Sequence, residues 1–297
     1  MDISEKSNSA SLFKKTAATI KRIIRNLGNR AFWRYGLITR LSKIFYPKAE
    51  GFDVNSEDWN YLIILDACRY DVFAEEIAKR KIEGKLEHRI SKGAMTAEFL
   101  DANFGKGQFD DIVYITANPF VNVMFKNKFH KLISVWINGW DSELNTVRPE
   151  KVYDTVLSEH HNYPGKKFII HFMQPHPPFL TMRFPDETGI QKFRDSVINN
   201  AELQGDIGPW RYVIRKKIPA AKVIEGYKEN LKIVMDYVEK LIPHLSGKIV
   251  ITADHGEGFG EPLHRFFPIK VYGHPNRARI ESIVKVPWFV INKQENS

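Results

Sequence analysis

Short, continuous apolar runs recur along this chain from residue 59 onward, and several of them end in a polar side chain. Five runs predict strands, at residues 61–65, 112–116, 167–173, 249–252 and 286–291. Apolar runs of about four to eight residues without alternating polar positions are typical of buried strands in a parallel sheet. The pattern therefore favours a sheet that is covered on both faces.

Helical periodicity separates these runs. Helices are expected through Val72 and Ile77, after the glycine-containing turn at 90–99, and at 226–243. In the last of these, five apolar residues share one stripe, namely Tyr227, Leu231, Val234, Val238 and Leu241. Strands that alternate with helices predict one α/β domain with a mainly parallel sheet. Residues 184–221 are polar and poorly periodic, which predicts an insertion with the character of a lid.

The N-terminal part has a different composition. Between residues 11 and 48, lysines and arginines recur about once per helical turn, no acidic residue is present, and apolar residues have roughly helical spacing. Basic amphipathic helices of this kind can bind anionic membrane surfaces. The alternative is an arm that packs on the main domain or on another subunit. We therefore separate a basic amphipathic helical arm, residues 1–50, from a domain at 51–297, and consider membrane or acidic-glycan contact through 11–48.

Composition narrows the class of protein. The net charge is +9, and the first residues contain no apolar core of a secretory signal. No apolar run approaches the ~18 residues of a membrane span. The single cysteine, Cys68, excludes a disulfide framework and fits a reducing compartment. We expect a cytoplasmic protein that could lie at the membrane, and no nucleic-acid partner, because no recognised motif accompanies the charge.

Metal-type side chains lie at the ends of three predicted strands. Asp66 follows the strand at 61–65, and His176 follows the one at 167–173. Asp254 and His255 follow the one at 249–252, and a late loop adds His274. The carboxyl ends of parallel strands meet at one edge of a sheet, and carboxylates with imidazoles are common ligands of divalent metals. Several acids at that edge without a metal would repel one another.

Taken singly, these residues have simpler explanations. Asp66 could cap the following helix. His171, inside an apolar strand, is expected to be a hydrogen-bonded core residue, and His264 a surface residue of the late loop. Only the joint pattern points to a metal site.

The segments LIILDACRYD, HFMQPHPPF and VITADHGEGFGE, with YGHPNRARIESIVKVPW, resemble the alkaline phosphatase superfamily, in particular its sulfatase-like and phosphotransferase-like branch. The resemblance covers roughly residues 59–292 and leaves the basic arm outside. It implies an alkaline-phosphatase-like three-layer α/β sandwich with a mainly parallel central sheet. Residues 51–297 would then be a sulfatase-like catalytic domain.

The same resemblance implies a site. A divalent ion (Mn, Zn, Ca or Mg) would be held by Asp66, Asp254 and His255. Family members place a Ser, Thr or formylglycine nucleophile at the start of the helix after the first βα unit, and His176 and His274 match further family histidines. Such an ion can polarise the ester oxygen and lower the pKa of the nucleophile, while a histidine protonates the departing alkoxide.

The nucleophile position departs from the family pattern. No C-x-P-x-R or S-x-P-x-R motif is present, which argues against a formylglycine sulfatase. Phosphotransferase relatives suggest a hydroxyl residue four positions before Glu98, where this chain has Ala94, which cannot attack. Thr96 is the nearest hydroxyl and the predicted nucleophile. The alternatives are Ser91 and a protein without a covalent nucleophile, either inactive or using metal-bound water.

The sequence thus predicts a metal-dependent hydrolase or transferase that acts on a phosphate or sulfate ester of a glycan or lipid-linked substrate. His176 or His274 would stabilise charge or protonate the leaving group. Arg69 could pair with a non-bridging oxygen of the substrate or brace its turn, and bracing is the favoured role. The basic chain suits an anionic substrate. Two hypotheses compete: a catalytically degenerate member that binds an anionic glycan or protein partner, and a peripheral membrane protein whose arm provides the main function.

Overall fold

A computed structural model describes residues 27–28, 30–184, 189–199 and 208–293. The strands are β1 (Tyr61–Leu65), β2 (Lys85–Ile90), β3 (Phe109–Thr116), β4 (Phe129–Ser134), β5 (Trp140–Asp141), β6 (Thr146–Val147), β7 (Lys167–Phe172), β8 (Lys248–Thr252), β9 (Gly258–His264), β10 (Phe267–Gly273) and β11 (Lys285–Asn292). The helices are α1 (Arg30–Phe45), α2 (Tyr70–Ile77), α3 (Thr96–Phe104), α4 (Phe120–Met124), α5 (Val135–Asn138), α6 (Pro149–Glu159), α7 (Gly189–Ile198), α8 (Trp210–Ile214), α9 (Ala220–Leu241) and α10 (Glu281–Val284).

Seven strands form the central sheet, in the order β2-β11-β8-β1-β7-β3-β4. The β8–β1, β1–β7, β7–β3 and β3–β4 pairs are parallel, whereas β11 is antiparallel to both of its neighbours. All five strands predicted from apolar runs lie in this sheet. The mainly parallel sheet is therefore confirmed.

Both faces of the sheet are covered, because successive side chains of a strand point to opposite faces. In β1, Ile63 and Leu65 enter one hydrophobic core, and Leu62 and Ile64 enter the other. The first core is completed by residues of α2, α6 and α9, and the second by residues of α3 and α4. The result is the predicted three-layer sandwich.

Helix α9 is longer than its amphipathic stripe predicts, since it begins at Ala220 rather than near residue 226. Pro219 precedes it in an extended conformation, and proline favours this position because it lacks the N–H that a first helical turn leaves unbonded. Gly226 lies inside the helix because the Phe179 ring packs against it, with space for no Cβ.

The edge strands β2 and β4 and the hairpins β5–β6 and β9–β10 were not expected from the sequence. β2 carries charged residues such as Lys85, Glu87 and Arg89, so its pattern is not that of a buried strand. β9 and β10 form an antiparallel hairpin with register shifts where a loop was predicted, because its glycines and prolines interrupt the alternation. The predicted loop histidines therefore flank or belong to strands: His264 ends β9, and His274 directly follows β10.

Within the basic arm, the described part is helical and lies along the β9–β10 hairpin. Near its start, the Tyr35 hydroxyl donates to the carbonyl of Tyr272. At its end, the Tyr46 hydroxyl donates to the carbonyl of Leu263, and Phe45 stacks on His264. The rest of the predicted arm, residues 1–26 and 29, lies outside the described residues. In the part of the chain that the structure describes, no helix is long and apolar enough to cross a membrane.

Candidate active site

The register of the sheet brings two aspartates together. Ile64 of β1 pairs with Thr252 of β8, so Asp66 and Asp254 each lie two residues beyond the same pair. Both side chains are buried, with exposures of 2% and 0%. The carboxyl ends of β1 and β8 therefore lie side by side, as the sequence predicted.

His255 completes a cluster with the two aspartates. One potential ligand atom from each of the three residues lies within 4.8 Å of the others. Nε2 of His255 is 3.4 Å from Oδ2 of Asp254 and 3.8 Å from Oδ1 of Asp66. Nδ1 of His255 lies 2.8 Å from the carbonyl of Gly256, so it carries the proton and leaves the Nε2 lone pair directed at the cluster.

Backbone geometry holds these carboxylates in place. Ala67 adopts φ 60°, and its N–H donates to Oδ1 of Asp254 over 3.1 Å. The buried hydroxyl of Tyr227 fixes this turn, because it donates to the Ala67 carbonyl and accepts from the N–H of Arg69. The Asn118 amide, which follows β3, donates to Oδ2 of Asp66 over 2.7 Å.

Glycine is required directly after the Asp-His pair. A Cβ at Gly256 would lie 2.3 Å from the carbonyl oxygen of Ser282. The Gly256 N–H donates to the carbonyl of Ile283, so α10 packs against the backbone beside His255. This close approach explains why the motif reads Asp-His-Gly.

The donor set fits a divalent cation. Several buried polar atoms of the described residues that lack a hydrogen-bond partner belong to this region, namely Asp66 Oδ1, Asp254 Oδ2, His171 Nε2, Glu257 Oε2 and His274 Nδ1. Unpaired buried polar groups are costly, and each one requires a reason. Two unpartnered carboxylate oxygens, Asp66 Oδ1 and Asp254 Oδ2, converge with Nε2 of His255, and this donor set suits a metal such as Zn²⁺ or Mn²⁺.

The two carboxyl groups differ in their proton affinity. Burial, with the nearby charge of Asp254, raises the pKa of Asp66 well above its usual range. The pKa of Asp254 lies below its usual range despite burial, because His255, His171 and hydrogen bonds from Thr96 and Ala67 stabilise its charged form. Repulsion between two carboxylates in one buried site separates their pKa values in this way. A bound cation would stabilise both carboxylates as anions.

Thr96 lies at this cluster. It is the first residue of α3, it is 5% exposed, and its Oγ1 is 3.4 Å from Nε2 of His255. A helix N-terminus favours negative charge, since its first N–H groups have no partner in the helix. The structure therefore brings together the predicted nucleophile, the predicted ligands and the N-terminus of a helix.

Ser91, the alternative nucleophile, and Ala94, which occupies the position suggested by relatives, both make hydrogen bonds that support the backbone of the site. The Ser91 hydroxyl donates to the carbonyl of Asp254 over 2.5 Å and accepts from the N–H of Gly93, so it supports the backbone of the aspartate. Ala94 is buried, and its N–H donates to Oε2 of Glu98. Oε1 of Glu98 accepts from the N–H of Arg277, which ties the loop after His274 to the start of α3.

His176 and His274 form a pair beside the cluster. Their Nε2 atoms are 3.0 Å apart, and the ring of His274 is 4.5 Å from that of His255 between centroids. Nδ1 of His176 lies 2.5 Å from the Pro177 carbonyl and so carries a proton. His274 then donates through Nε2, and its Nδ1 has a free lone pair.

Burial lowers the pKa of both rings of this pair. The pKa of His176 falls to about 4, and that of His274 lies well below its usual value, because burial and the neighbouring imidazoles disfavour the cations. Each side chain is nevertheless only partly covered. The pair is thus neutral near pH 7 and lies where a substrate can reach it.

The simpler explanations hold for the other histidines. His171 is fully buried in β7, its Nδ1 is 3.0 Å from the Tyr114 hydroxyl, and its Nε2 lies 4.0 Å from Oδ2 of Asp66. Burial lowers its pKa to about 4. His264 stacks on Phe45 at the far end of β9 and does not join the cluster.

Arg69 has the bracing geometry. Its guanidinium binds both oxygens of Asp71, Oε1 of Glu261 and the carbonyl of Glu257, and it lies 4.1 Å from the centroid of the Phe259 ring. These contacts leave it buried and committed to the hairpin.

Sequence reasoning did not single out Glu257 or Asn118. Glu257 is 1% exposed, and burial raises its pKa to about 8 even though Trp210 donates to its Oε1 over 2.6 Å. Trp210 begins α8, so the C-terminal part of the predicted lid insertion is anchored beside the site. The only sign of Glu257 in the sequence was its position as an acid two residues after the Asp-His pair. Its hydrogen-bond partner, Trp210, lies 47 positions away in the chain.

Comparisons with known proteins extend this picture. No family model matches the chain, and no curated protein sequence matches it. The integral membrane protein lipooligosaccharide phosphoethanolamine transferase A of Neisseria meningitidis has a similar structure, with a TM-score of 0.52 and 14% identity, over 97% of this chain and 59% of that chain. This chain therefore spans less than two thirds of that protein's length.

Two further solved structures are similar at lower scores. The soluble domain of the same transferase has a TM-score of 0.49 and 16% identity, over 77% of this chain and 75% of that chain. The C-terminal periplasmic domain of EptC of Escherichia coli, in complex with Zn, has a TM-score of 0.46 and 12% identity, over 83% and 76%.

The expected cytoplasmic location is wrong. The similar structures are described as an integral membrane protein and as a periplasmic domain. The expectation depended on one cysteine and the first residues, and a single buried thiol such as Cys68 carries little information about a redox compartment. At the level of the fold, by contrast, the expectation is confirmed: this chain has a three-layer α/β sandwich with a mainly parallel central sheet, and the similar transferase structure shares this fold.

Proposed function

We propose that this chain is a metal-dependent phosphotransferase or hydrolase that acts on a phosphate ester of a lipid- or glycan-linked substrate. The observation that carries the proposal is the position of the Thr96 hydroxyl, 3.4 Å from Nε2 of His255 at the N-terminus of α3. A hydroxyl in that position can attack a phosphorus atom whose oxygens face the helix N-terminus.

The residues divide into binding and reacting groups. A divalent cation held by Asp66, Asp254 and His255 would polarise a phosphate oxygen and make the Thr96 hydroxyl more acidic. Asn118 orients the carboxylate of Asp66. Residues of this second kind keep metal ligands in the correct orientation.

The reaction would proceed in two displacements. In the first, Oγ1 of Thr96 would bond to phosphorus while the bond from phosphorus to the leaving alkoxide breaks, and the Thr96 proton would pass through the neutral His176–His274 pair to the alkoxide. In the second, an acceptor alcohol or water would attack the phosphothreonine, and its proton would pass through the same pair to the departing Oγ1 of Thr96. Each displacement thus moves one proton from the attacking oxygen to the leaving oxygen, so the pair is neutral before and after both.

The substrate class and the location belong to this proposal. The similar transferase acts, by its name, on a lipooligosaccharide and transfers phosphoethanolamine. A lipid-linked anionic substrate outside the cytoplasm fits that similarity and the net charge of +9. Peripheral membrane contact through residues 11–48 fits the same substrate.

The test combines metal analysis with an activity screen over phosphomonoesters, phosphodiesters and sulfate esters. We expect about one divalent ion per chain, cleavage of phosphate esters, and a phosphate covalently bound to Thr96 that mass spectrometry detects after acid quenching. Protein without metal, together with unchanged cleavage by an Asp254→Ala variant, would refute the proposal.

A catalytically degenerate protein that binds an anionic glycan or protein partner is the second candidate. The observation in its favour is Ala94 at the position where relatives suggest a nucleophile. Trapping of phospho-Thr96 would exclude it. Binding of phosphate esters without turnover by the metal-loaded protein would support it.

A further inference from the structure

The solvent face of α1 is apolar as well as basic. Ile38 and Ser42 are fully buried, and these inward residues share one side of the helix. The opposite side carries Trp33, Leu37 and Ile44, which are 42%, 49% and 69% exposed. Spacings of four and seven residues place these three side chains on one stripe. The helix thus has two apolar sides: one is buried in the domain, and the other remains largely exposed among the residues that the structure describes.

The tip of the β9–β10 hairpin extends this apolar surface. Phe266 and Phe267 are 68% and 44% exposed. The Phe267 ring lies 5.3 Å from that of Phe45, the last residue of α1. The described residues include ten large apolar side chains that are exposed. Six of these ten lie on α1, at Leu27 before it, or at this tip. Contiguous exposed apolar surface of this kind marks an interaction site.

The surface is bordered by cations and lacks acids. Arg40 and Lys43 lie on the exposed side of α1, and Arg265 lies at the hairpin tip. The sequence has no aspartate or glutamate between residues 6 and 49 or between residues 262 and 280. The two acid-free segments meet where Arg34 donates to the Lys270 carbonyl.

We propose that the exposed side of α1 and the tip of the β9–β10 hairpin, residues 265–267, form one docking surface for an anionic lipid bilayer. Tryptophan and phenylalanine favour the membrane interface, and lysine and arginine favour anionic head groups. A second copy of the chain fits less well, because an isologous contact would place Arg40 and Lys43 against the same cations of the partner.

The hairpin links this surface to the active site. β9 begins three residues after His255, and β10 ends directly before His274. A bilayer held at the tip would therefore set the distance between lipid head groups and the metal-type cluster. The proposal deepens the proposed function, since it names the membrane as the place where a lipid-linked substrate is met.

Vesicle sedimentation of the full chain tests the surface. We compare pure phosphatidylcholine vesicles with an equimolar mixture of phosphatidylcholine and phosphatidylglycerol, and expect binding to the mixture. The triple variant Arg40→Gln, Lys43→Gln, Arg265→Gln should lose about fivefold in affinity per cation, or about 100-fold in all. The matched control is the triple variant Lys106→Gln, Lys126→Gln, Lys131→Gln, which removes three exposed cations near the other edge of the sheet. Its loss of vesicle affinity should be smaller than that of the first variant by a factor of about ten.

A second set of variants tests the apolar part. Leu37→Gln with Ile44→Gln and Phe266→Gln should lower vesicle affinity at least about tenfold, whereas Val123→Gln with Ile137→Gln, exposed elsewhere, should not. Because all of these side chains are exposed, thermal unfolding should be unchanged. Brominated lipid should quench the fluorescence of wild-type protein more than that of Trp33→Phe, which reports the contact directly.

The proposal would be overturned if the charge variant and its control lost the same vesicle affinity, or if the apolar variant bound vesicles as wild type does. It would also be overturned if the wild-type protein were a dimer, and the apolar substitutions made it monomeric without loss of vesicle binding. Saturable binding of the surface to an acidic protein, without vesicle binding, would also overturn it. An Asp254→Asn variant should bind vesicles normally, and the docking variants should keep activity on a soluble phosphate ester. A failure of the proposed chemistry is thereby distinguished from a failure of docking.

Discussion

Oγ1 of Thr96 and Nε2 of His255 lie 3.4 Å apart, although 159 positions separate the two residues in the chain. The contact joins the start of α3 to the residues that follow β8. It places a hydroxyl, an imidazole and two carboxylates around one point. The predictions below test what each of these groups contributes.

Removal of the Thr96 hydroxyl should stop turnover without emptying the metal site. We expect Thr96→Ala to lower kcat at least about a thousandfold, because the alternative hydroxyl, that of Ser91, is bonded to the Asp254 carbonyl. Thr96→Ser should retain measurable activity. Metal content, measured by mass spectrometry, should stay within about twofold of wild type, since the three main ligands remain. Full activity of Thr96→Ala would instead indicate attack by water.

Metal removal should destabilise the protein. The unpartnered oxygens of Asp66 and Asp254 lose their cation in a chelator. At a metal concentration of about 100 times the dissociation constant, ligand linkage predicts a loss of about 2.7 kcal/mol. Thermal unfolding with and without chelator measures the effect. In Asp254→Asn the chelator should cause a much smaller shift, and an equal shift in both proteins would contradict a site at this residue.

In the metal-free protein, the contribution of His171 to stability should fall as the pH falls from about 6.5 to about 4. Burial lowers the folded-state pKa of His171 to about 4, whereas the unfolded chain binds the proton near pH 6.5. The unfolded state therefore binds more protons within this window, and stability falls with pH. For this one histidine, linkage gives about 2 kcal/mol between pH 7 and pH 5.

The control for this prediction is the variant His171→Gln. It loses stability at every pH because the contact with Tyr114 is removed, but its decline between pH 7 and pH 5 should be shallower by the same amount. Chemical denaturation at several pH values in chelator gives both slopes. Identical slopes would show that His171 does not titrate in this window.

Glu98 should act as a positioning residue. Its carboxylate receives the N–H groups of Ala94 and Arg277, one before Thr96 and one after His274. We expect Glu98→Ala to lower kcat by about tenfold to a hundredfold through misplacement of these two residues, with KM nearly unchanged and a stability loss of about 1 kcal/mol. Asp101→Ala, an exposed acid on the same helix, is the matched control and should leave both unchanged.

The local pattern was sufficient to predict the architecture and the metal-type residues. Apolar runs specify buried parallel strands, because a strand covered on both faces has no polar position to spare. Once the strands are parallel, their carboxyl ends must share an edge, so Asp66, Asp254 and His255 could be grouped without coordinates. Edge strands such as β2 could not be predicted in this way. Water, rather than a helix, faces part of their surface, so their sequences are not continuously apolar.

Only the tertiary structure decided which hydroxyl lies at the site. Ser91, Ala94 and Thr96 differ by a few positions, and their side-chain directions depend on where α3 begins relative to β8, which no local pattern contains. The same holds for His176 with His274, 98 positions apart, and for Glu257 with Trp210. The sequence by itself determined the strands and the residues at their ends, since periodicity and register are properties of single segments. The position of the Thr96 hydroxyl, the histidine pair and the exposed surface of α1 depend on contacts between distant segments, which exist only after the layers pack.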